Sequence, residues 1–112
     1  MAAALSLDDW RGQAKALGYR NQAFINGRYV PAVSGKTFDR ISPIDGKLLT
    51  KVAECDSADV DLAVKAARAA LEKGAWSGMP PAKRKRVLIK FAELMMKHRD
   101  ELALLETLDM GK

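Results

Sequence analysis

Ala23-Phe24-Ile25-Asn26-Gly27-Arg28-Tyr29-Val30 decides how the first half of the chain folds. Two short β-prone runs flank Asn26-Gly27. Asn and Gly both tolerate positive φ, which a tight two-residue hairpin turn demands at both central positions. The stretch therefore predicts an antiparallel hairpin. Toward the C-terminus, Ser34-Gly35-Lys36 reads as a turn and Thr37 to Ser42 as a strand. Pro43-Ile44-Asp45-Gly46 reads as the next turn, with Lys47 to Ala53 as the partner strand. Pro31 and Pro43 lack a donor N–H, so these runs suit edge strands rather than a central sheet. Toward the N-terminus, Leu5 to Leu17 predicts a short helix with Ser6 or Asp8 as N-cap and Gly18 as its stop. Trp10, Ala14 and Leu17 then share one face.

From Asp56 the period changes from two to about 3.6. Val60, Val64, Ala67 and Leu71 recur at helical spacing, and Ala63, Ala66 and Ala70 widen the stripe. Asp56 or Ser57 caps this helix, Asp59 and Asp61 suit its positive end, and Lys73-Gly74 ends it. Ser77 to Pro81 forms a connector, and Pro81 can occupy the first turn of the following helix. Val87, Leu88, Phe91, Leu94 and Met95 make that helix's apolar face. After His98 the pattern resumes with Leu102, Leu105 and Leu108, and Gly111 is the expected terminator. The fold class is α+β: a helix, two short hairpins, then three helices, with no internal repeat or low-complexity tract.

The 112 residues allow one domain and leave little room for two. A hydrophobic fraction of 48% is that of an ordinary globular chain. With 19 Lys and Arg against 14 Asp and Glu, the net charge of +5 permits weak attraction to anions but requires no nucleic acid partner. The single cysteine, Cys55, excludes an intramolecular disulfide framework and fits a reducing, cytoplasmic compartment. No apolar run is long enough to cross a bilayer, and Met1 to Trp10 lacks the basic start and long apolar stretch of a secretory signal. Cofactor-dependent enzymes are usually larger than this, so a chain belonging to one is expected to be part of it.

No complete catalytic constellation is present. Cys55 lies just before a helix start, which favours a thiolate, but Glu54 and Asp56 flank it and their charge opposes one. His98 is the sole histidine, has no partner at metal-ligand spacing, and reads as a helix-end residue. Lys83-Arg84-Lys85-Arg86 could track phosphates. On a helix these residues point around most of the circumference, and no stacking aromatic alternates with them, so a solvated or interface face is the favoured reading. The glycines are isolated turn residues, not a phosphate-binding loop.

Taken in order, several motifs resemble the N-terminal part of the NAD(P)-dependent aldehyde dehydrogenase superfamily. They are Phe24 to Val30, Ser34-Gly35-Lys36-Thr37-Phe38, Ser42-Pro43-Ile44-Asp45-Gly46, Val52 to Asp56, Asp59 to Arg68, Trp76, Pro81-Ala82-Lys83-Arg84 and Glu101 to Lys112. The chain looks closest to the branch that oxidises γ-glutamyl-γ-aminobutyraldehyde and related ω-amino or guanidino aldehydes.

The resemblance implies that residues 1–112 are the N-terminal portion of a coenzyme-binding domain, wrapped on a doubly wound α/β core that lies downstream. It implies oxidation of an aldehyde to an acid with NAD or NADP. In the family a cysteine thiolate adds to the carbonyl, hydride passes to the nicotinamide, and a glutamate-activated water hydrolyses the thioester. That cysteine and glutamate come later in the family's sequence, and Cys55 is not in the nucleophile's motif. The segment alone is therefore expected to be inactive, with no catalytic or coenzyme-binding residue of its own. The expected partners are the remainder of the chain and a second copy in a homo-oligomer, with no nucleic acid and no membrane. The resemblance also implies a structural K⁺ or Na⁺ held by main-chain carbonyls at Arg40 and Ile41 and by the Asp109 carboxylate, with one ligand supplied from downstream. The rival from a different class is a stand-alone basic helical module, built on Lys83 to Arg86, that binds nucleic acid or an acidic partner.

Overall fold

Strands β1 (Ala23–Ile25) and β2 (Arg28–Val30) pair antiparallel through Ala23↔Val30, Phe24↔Tyr29 and Ile25↔Arg28. Asn26 and Gly27 close the turn at φ 52° and 76°, the conformation for which the Asn-Gly pair is suited. The computed structural model describes residues 5–111. On the outer face of the hairpin the Phe24 and Tyr29 rings meet at 5.1 Å between centroids, and Arg20 lies over Tyr29. A cross-strand aromatic pair of this kind contributes about 0.5–1 kcal/mol.

The second hairpin pairs β3 (Thr37–Ile41) with β4 (Leu48–Ala53). Its register passes from Arg40↔Thr50 to Ile41↔Leu48, leaving Leu49 as an extra residue that bends β4. Asp39 and Lys51 are directly opposite and form an ion pair at 2.6 Å. The two hairpins are separate two-stranded sheets. They are tied where Asn21 accepts from the Ala53 amide and its side chain donates to Thr50 Oγ1.

Helix α1 spans Leu7–Ala16, shorter than the predicted Leu5 to Leu17. Ser6, not Asp8, is its N-cap. Ser6 Oγ accepts from the Asp9 amide, and the Ser6 amide donates to the Asp9 carboxylate in return. The bonds from the Ser6 hydroxyl and amide hold Asp9 below the usual carboxylate range. Gly18 does not terminate the helix in a left-handed turn: the cap is Leu17, in extended conformation, with its N–H on the Ala14 carbonyl. Trp10, Ala14 and Leu17 are half-buried while their neighbours on α1 are exposed, as the spacing predicts.

Helix α2 spans Ser57–Glu72 and is capped by Asp56, whose Oδ1 accepts from the Ala58 amide. Asp59 is only 2% exposed. Its Oδ2 accepts from the Asp56 amide at 3.0 Å, and its Oδ1 accepts from the Val33 amide at 2.9 Å. Burying a carboxylate is costly unless its charge is met. Here two amides and the positive end of α2 meet it.

The first hairpin lies along α2, bordering a groove of about 490 Å³ lined in part by Ile25, Val33, Asp59, Leu62 and Ala66. This corrects the stripe read from the sequence. Val60, Val64 and Leu71 are exposed, and the covered face runs through Asp59, Ala66 and Ala69. The alanines leave room for a hairpin backbone to approach the helix.

Helices α3 (Pro81–Lys97) and α4 (Arg99–Met110) follow, with Pro81 in the first turn of α3 and Gly111 at φ 75° after α4. A Cβ on Gly111 would stand 3.1 Å from Pro43 Cγ, so glycine serves both the left-handed turn and the close approach. α4 packs against α1 and α3. Among the described residues, only Ala32 and Leu104 are buried apolar side chains. Val87, Leu88, Phe91, Leu94 and Met95, the apolar face of α3, are all exposed. The radius of gyration is 18.1 Å, where a compact chain of this length has about 13 Å. The molecule is a flat slab of 48 × 44 × 19 Å.

Two outcomes follow from this packing. In the full-length protein that carries this chain, Asp59→Ala leaves the Val33 and Asp56 amides without their acceptor. Chemical denaturation is expected to read a loss of about 2–3 kcal/mol, with little loss for Asp61→Ala on the same helix. The 112-residue chain by itself exposes enough apolar surface to self-associate. Sedimentation is expected to find oligomers or aggregates, and a sharp monomer that melts cooperatively well above ambient temperature contradicts this.

Candidate functional site

The corner that brings distant residues together lies between β3 and the end of α4. Arg40 is the last β3 residue before the register shift, and Asp109 is in the final turn of α4. Arg40 Nε donates to Asp109 Oδ1 at 3.1 Å, and Nη2 donates to the same oxygen at 2.8 Å and to the Asp109 main-chain carbonyl at 2.8 Å. The two residues are 69 positions apart, so the contact is a tertiary tie. Pro43 packs on Gly111 beside it. The pair is 35% and 58% exposed, which limits a salt bridge to about 1 kcal/mol or less by Coulomb attraction alone.

Of the three residues in the sequence-derived cation set, Arg40 and Asp109 come together and Ile41 follows Arg40 in the chain. The observed contact uses the Arg40 guanidinium, a group the sequence reading did not consider. Its one available signal was the oppositely charged pair at the two positions. Lys112, the end of the Gly111-Lys112 match, lies outside the described residues. Among those residues, no group of three or more His, Cys, Asp or Glu side chains is placed to hold a metal ion.

The other candidates stay apart. Cys55 is exposed, and its thiol is pushed above the usual value by desolvation first and then by the charges of Asp59 and Asp56. The Asp59 charge arrives through the fold, one turn into α2, and adds to the opposition expected from Asp56. A raised thiol is a poor nucleophile at neutral pH. His98 sits at the break between α3 and α4, with Nδ1 at 3.3 Å from Glu101. Lys83, Lys85 and Arg86 are exposed and Arg84 is half-buried, on a helix whose apolar face is equally open. The left-handed glycines at 27, 35, 46, 74 and 111 are single turn or helix-end residues.

Comparison with known proteins resolves the fold's affinity. Residues 29–112 match the aldehyde dehydrogenase family, a span that includes the basic run of α3 and leaves the rival reading of a stand-alone basic module without support. The chain is 48% identical over 103 residues to the NADP/NAD-dependent aldehyde dehydrogenase PuuC of Escherichia coli (strain K12), covering 92% of this chain and 21% of that protein. The structure superposes on P. syringae AldA indole-3-acetaldehyde dehydrogenase, solved with NAD⁺ and IAA, with a TM-score of 0.93 and 54% identity. That match covers 96% of this chain and 22% of the other. It also superposes on γ-glutamyl-γ-aminobutyraldehyde dehydrogenase from Burkholderia cenocepacia J2315, with a TM-score of 0.91 and 52% identity over 94% of this chain and 21% of that one. The chain thus spans about a fifth of the length of the relatives it matches. Four helices and two small antiparallel sheets in this order, with this identity over nearly all their length, place the chain in the aldehyde dehydrogenase family.

Proposed function

We propose that the full-length protein carrying this chain oxidises an aldehyde to a carboxylic acid with NAD⁺ or NADP⁺, and that residues 1–112 are the N-terminal portion of its coenzyme-binding domain. The observation that carries this reading is the agreement of backbone and sequence together, a TM-score of 0.93 at 54% identity over 96% of the chain. A bound nicotinamide supplies the hydride acceptor. This chain's residues are proposed to take no step in the chemistry: its left-handed glycines are single turn or helix-end residues, and desolvation with the charges of Asp59 and Asp56 pushes its one thiol up. Its part is packing: the open faces of α2 and α3 are covered by the remainder of the chain and by a second copy in a homo-oligomer. The exposed stripe of α3 supports that assignment. Among the described residues no helix is long and apolar enough to cross a membrane, and a lone cysteine suits the cytoplasm proposed as the location.

The proposed substrate is an ω-amino aldehyde, with the γ-glutamylated form preferred. The similarity to the Burkholderia γ-glutamyl-γ-aminobutyraldehyde enzyme supports it. A second reading, an indole-type aldehyde, is favoured by the slightly higher identity to the P. syringae enzyme. Purified full-length protein is expected to form NAD(P)H with aldehydes, with kcat/KM for ω-amino aldehydes above both acetaldehyde and indole-3-acetaldehyde. A reversed order transfers it to the second reading, and no aldehyde-dependent turnover removes both. The 112-residue chain alone is expected to give none, and turnover abolished by Cys55→Ser overturns that expectation.

A structural monovalent cation is also proposed, with the main-chain carbonyls of Arg40 and Ile41 and the Asp109 carboxylate as ligands. The donor set is all oxygen, as suits K⁺ or Na⁺. A positive group, the Arg40 guanidinium, already stands against a carboxylate and a carbonyl oxygen of Asp109 as a stand-in.

A further inference from the structure

We propose that the groove between the first hairpin and α2 binds a small free carboxylate that carries a short apolar tail. The groove measures about 490 Å³, within the span of about 300–1,000 Å³ usual for small-molecule sites. Its walls are apolar, with Ile25 and Val30 on the hairpin, Val33 beyond it, and Leu62 and Ala66 on α2. Val33 is 62% and Leu62 46% exposed, so a tail laid between them takes apolar surface out of water. Arg28 lines the groove from β2 and Lys65 lines it from α2. Among the described residues neither is in an ion pair. An anion placed between these two positive groups is attracted by both. Asp59 also lines the groove but offers no seat to a cation. It is 2% exposed, and its two oxygens are taken by the Val33 and Asp56 amides. The lining thus suits an apolar body with a negative head.

The groove faces away from the open stripe of α2. At 3.6 residues per turn, Leu62 and Lys65 stand about 100–180° around the helix from Val60, Val64 and Leu71. Packing the remainder of the chain on that exposed stripe leaves the groove side free. The walls are also set before a ligand arrives. The Asn26-Gly27 turn shapes the hairpin, and the bond from the Val33 amide to Asp59 at 2.9 Å ties the loop after β2 to α2. A site already in place spares its ligand the cost of ordering it. An added peptide strand is the poorer occupant. β2 has three residues and runs into Pro31, which lacks an N–H, so its edge offers few backbone bonds.

The test is photolabelling of the full-length protein with a diazirine-bearing octanoate, read by mass spectrometry on the peptides that contain Val33 or Leu62. Reading at those peptides keeps binding elsewhere in the protein out of the result. Both peptides are expected to be labelled, and octanoate is expected to displace the label at lower concentration than octanol, with octylammonium weakest. The double variant Arg28→Gln/Lys65→Gln is expected to need about tenfold more octanoate for half-displacement. Ala66→Trp, which fills the groove from α2, is expected to abolish the labelling. Label confined to other peptides overturns the proposal, and so does displacement by octanol at the same concentration as octanoate. Should Ala66→Trp fail to fold, an unchanged half-displacement in the double variant, whose two positions are exposed, overturns it.

Discussion

The amides of Val33 and Asp56 converge on one carboxylate, that of Asp59, and the placement of the first hairpin on α2 depends on their meeting. The loop after β2 has no strand partner of its own at Val33. Asp59 Oδ1 is the acceptor this amide meets in the fold, at 2.9 Å in a part-buried contact. Asp59 supplies the acceptor from the first turn of α2, where the helix's positive end favours a negative charge. Desolvation is offset at one point by three favourable terms, and the direction in which the chain leaves Ala32 is fixed by it. Desolvation first, and then this same charge together with that of Asp56, pushes the Cys55 thiol above its usual value. One buried acid thus anchors a hairpin and adds to the elevation of the neighbouring thiol.

Local chemistry made most of the elements legible. Asn26-Gly27 demanded a hairpin because few other pairs accept two positive φ angles in succession. Trp10, Ala14 and Leu17 share a face at helical spacing, and that face is the covered one. Pro81 and Gly111 stand at the helix ends where their backbone preferences place them. α2 was harder. Its alanine-rich sequence is apolar on two sides, and periodicity says which residues share a face but not which face is covered. The hairpin took the side of Asp59 and Ala66, leaving Val60 and Val64 open. The spacing Asp56-x-x-Asp59 did carry a capping-box signal. Nothing in the order of residues named Val33, 26 positions away, as the partner of the second oxygen.

The corner at Asp109 illustrates a different limit. The family resemblance drew attention to Arg40 and Asp109, yet it concerned the Arg40 main chain, while the fold brings its side chain into play. A sequence motif reports which backbone positions recur. It is silent on which side chains the fold then brings together. Charge complementarity between Arg40 and Asp109 was present in the sequence, but 19 basic and 14 acidic residues offer many such pairs. Only the approach of β3 to the last turn of α4 selects this one.

α3 carries the argument about what this chain is for. It presents Lys83, Lys85 and Arg86 beside an open apolar face of Val87, Leu88, Phe91, Leu94 and Met95. A polyanion-binding helix needs its basic face outward and its apolar face seated on the rest of its own domain. Here the apolar face has no seat among the described residues, and the slab is too thin to provide one. Such a face is stable only against another apolar surface. The basic residues then become the rim of that contact, where their alkyl stems cover apolar surface and their charges stay in water. On that geometry the basic run borders an apolar face rather than forming a binding surface of its own.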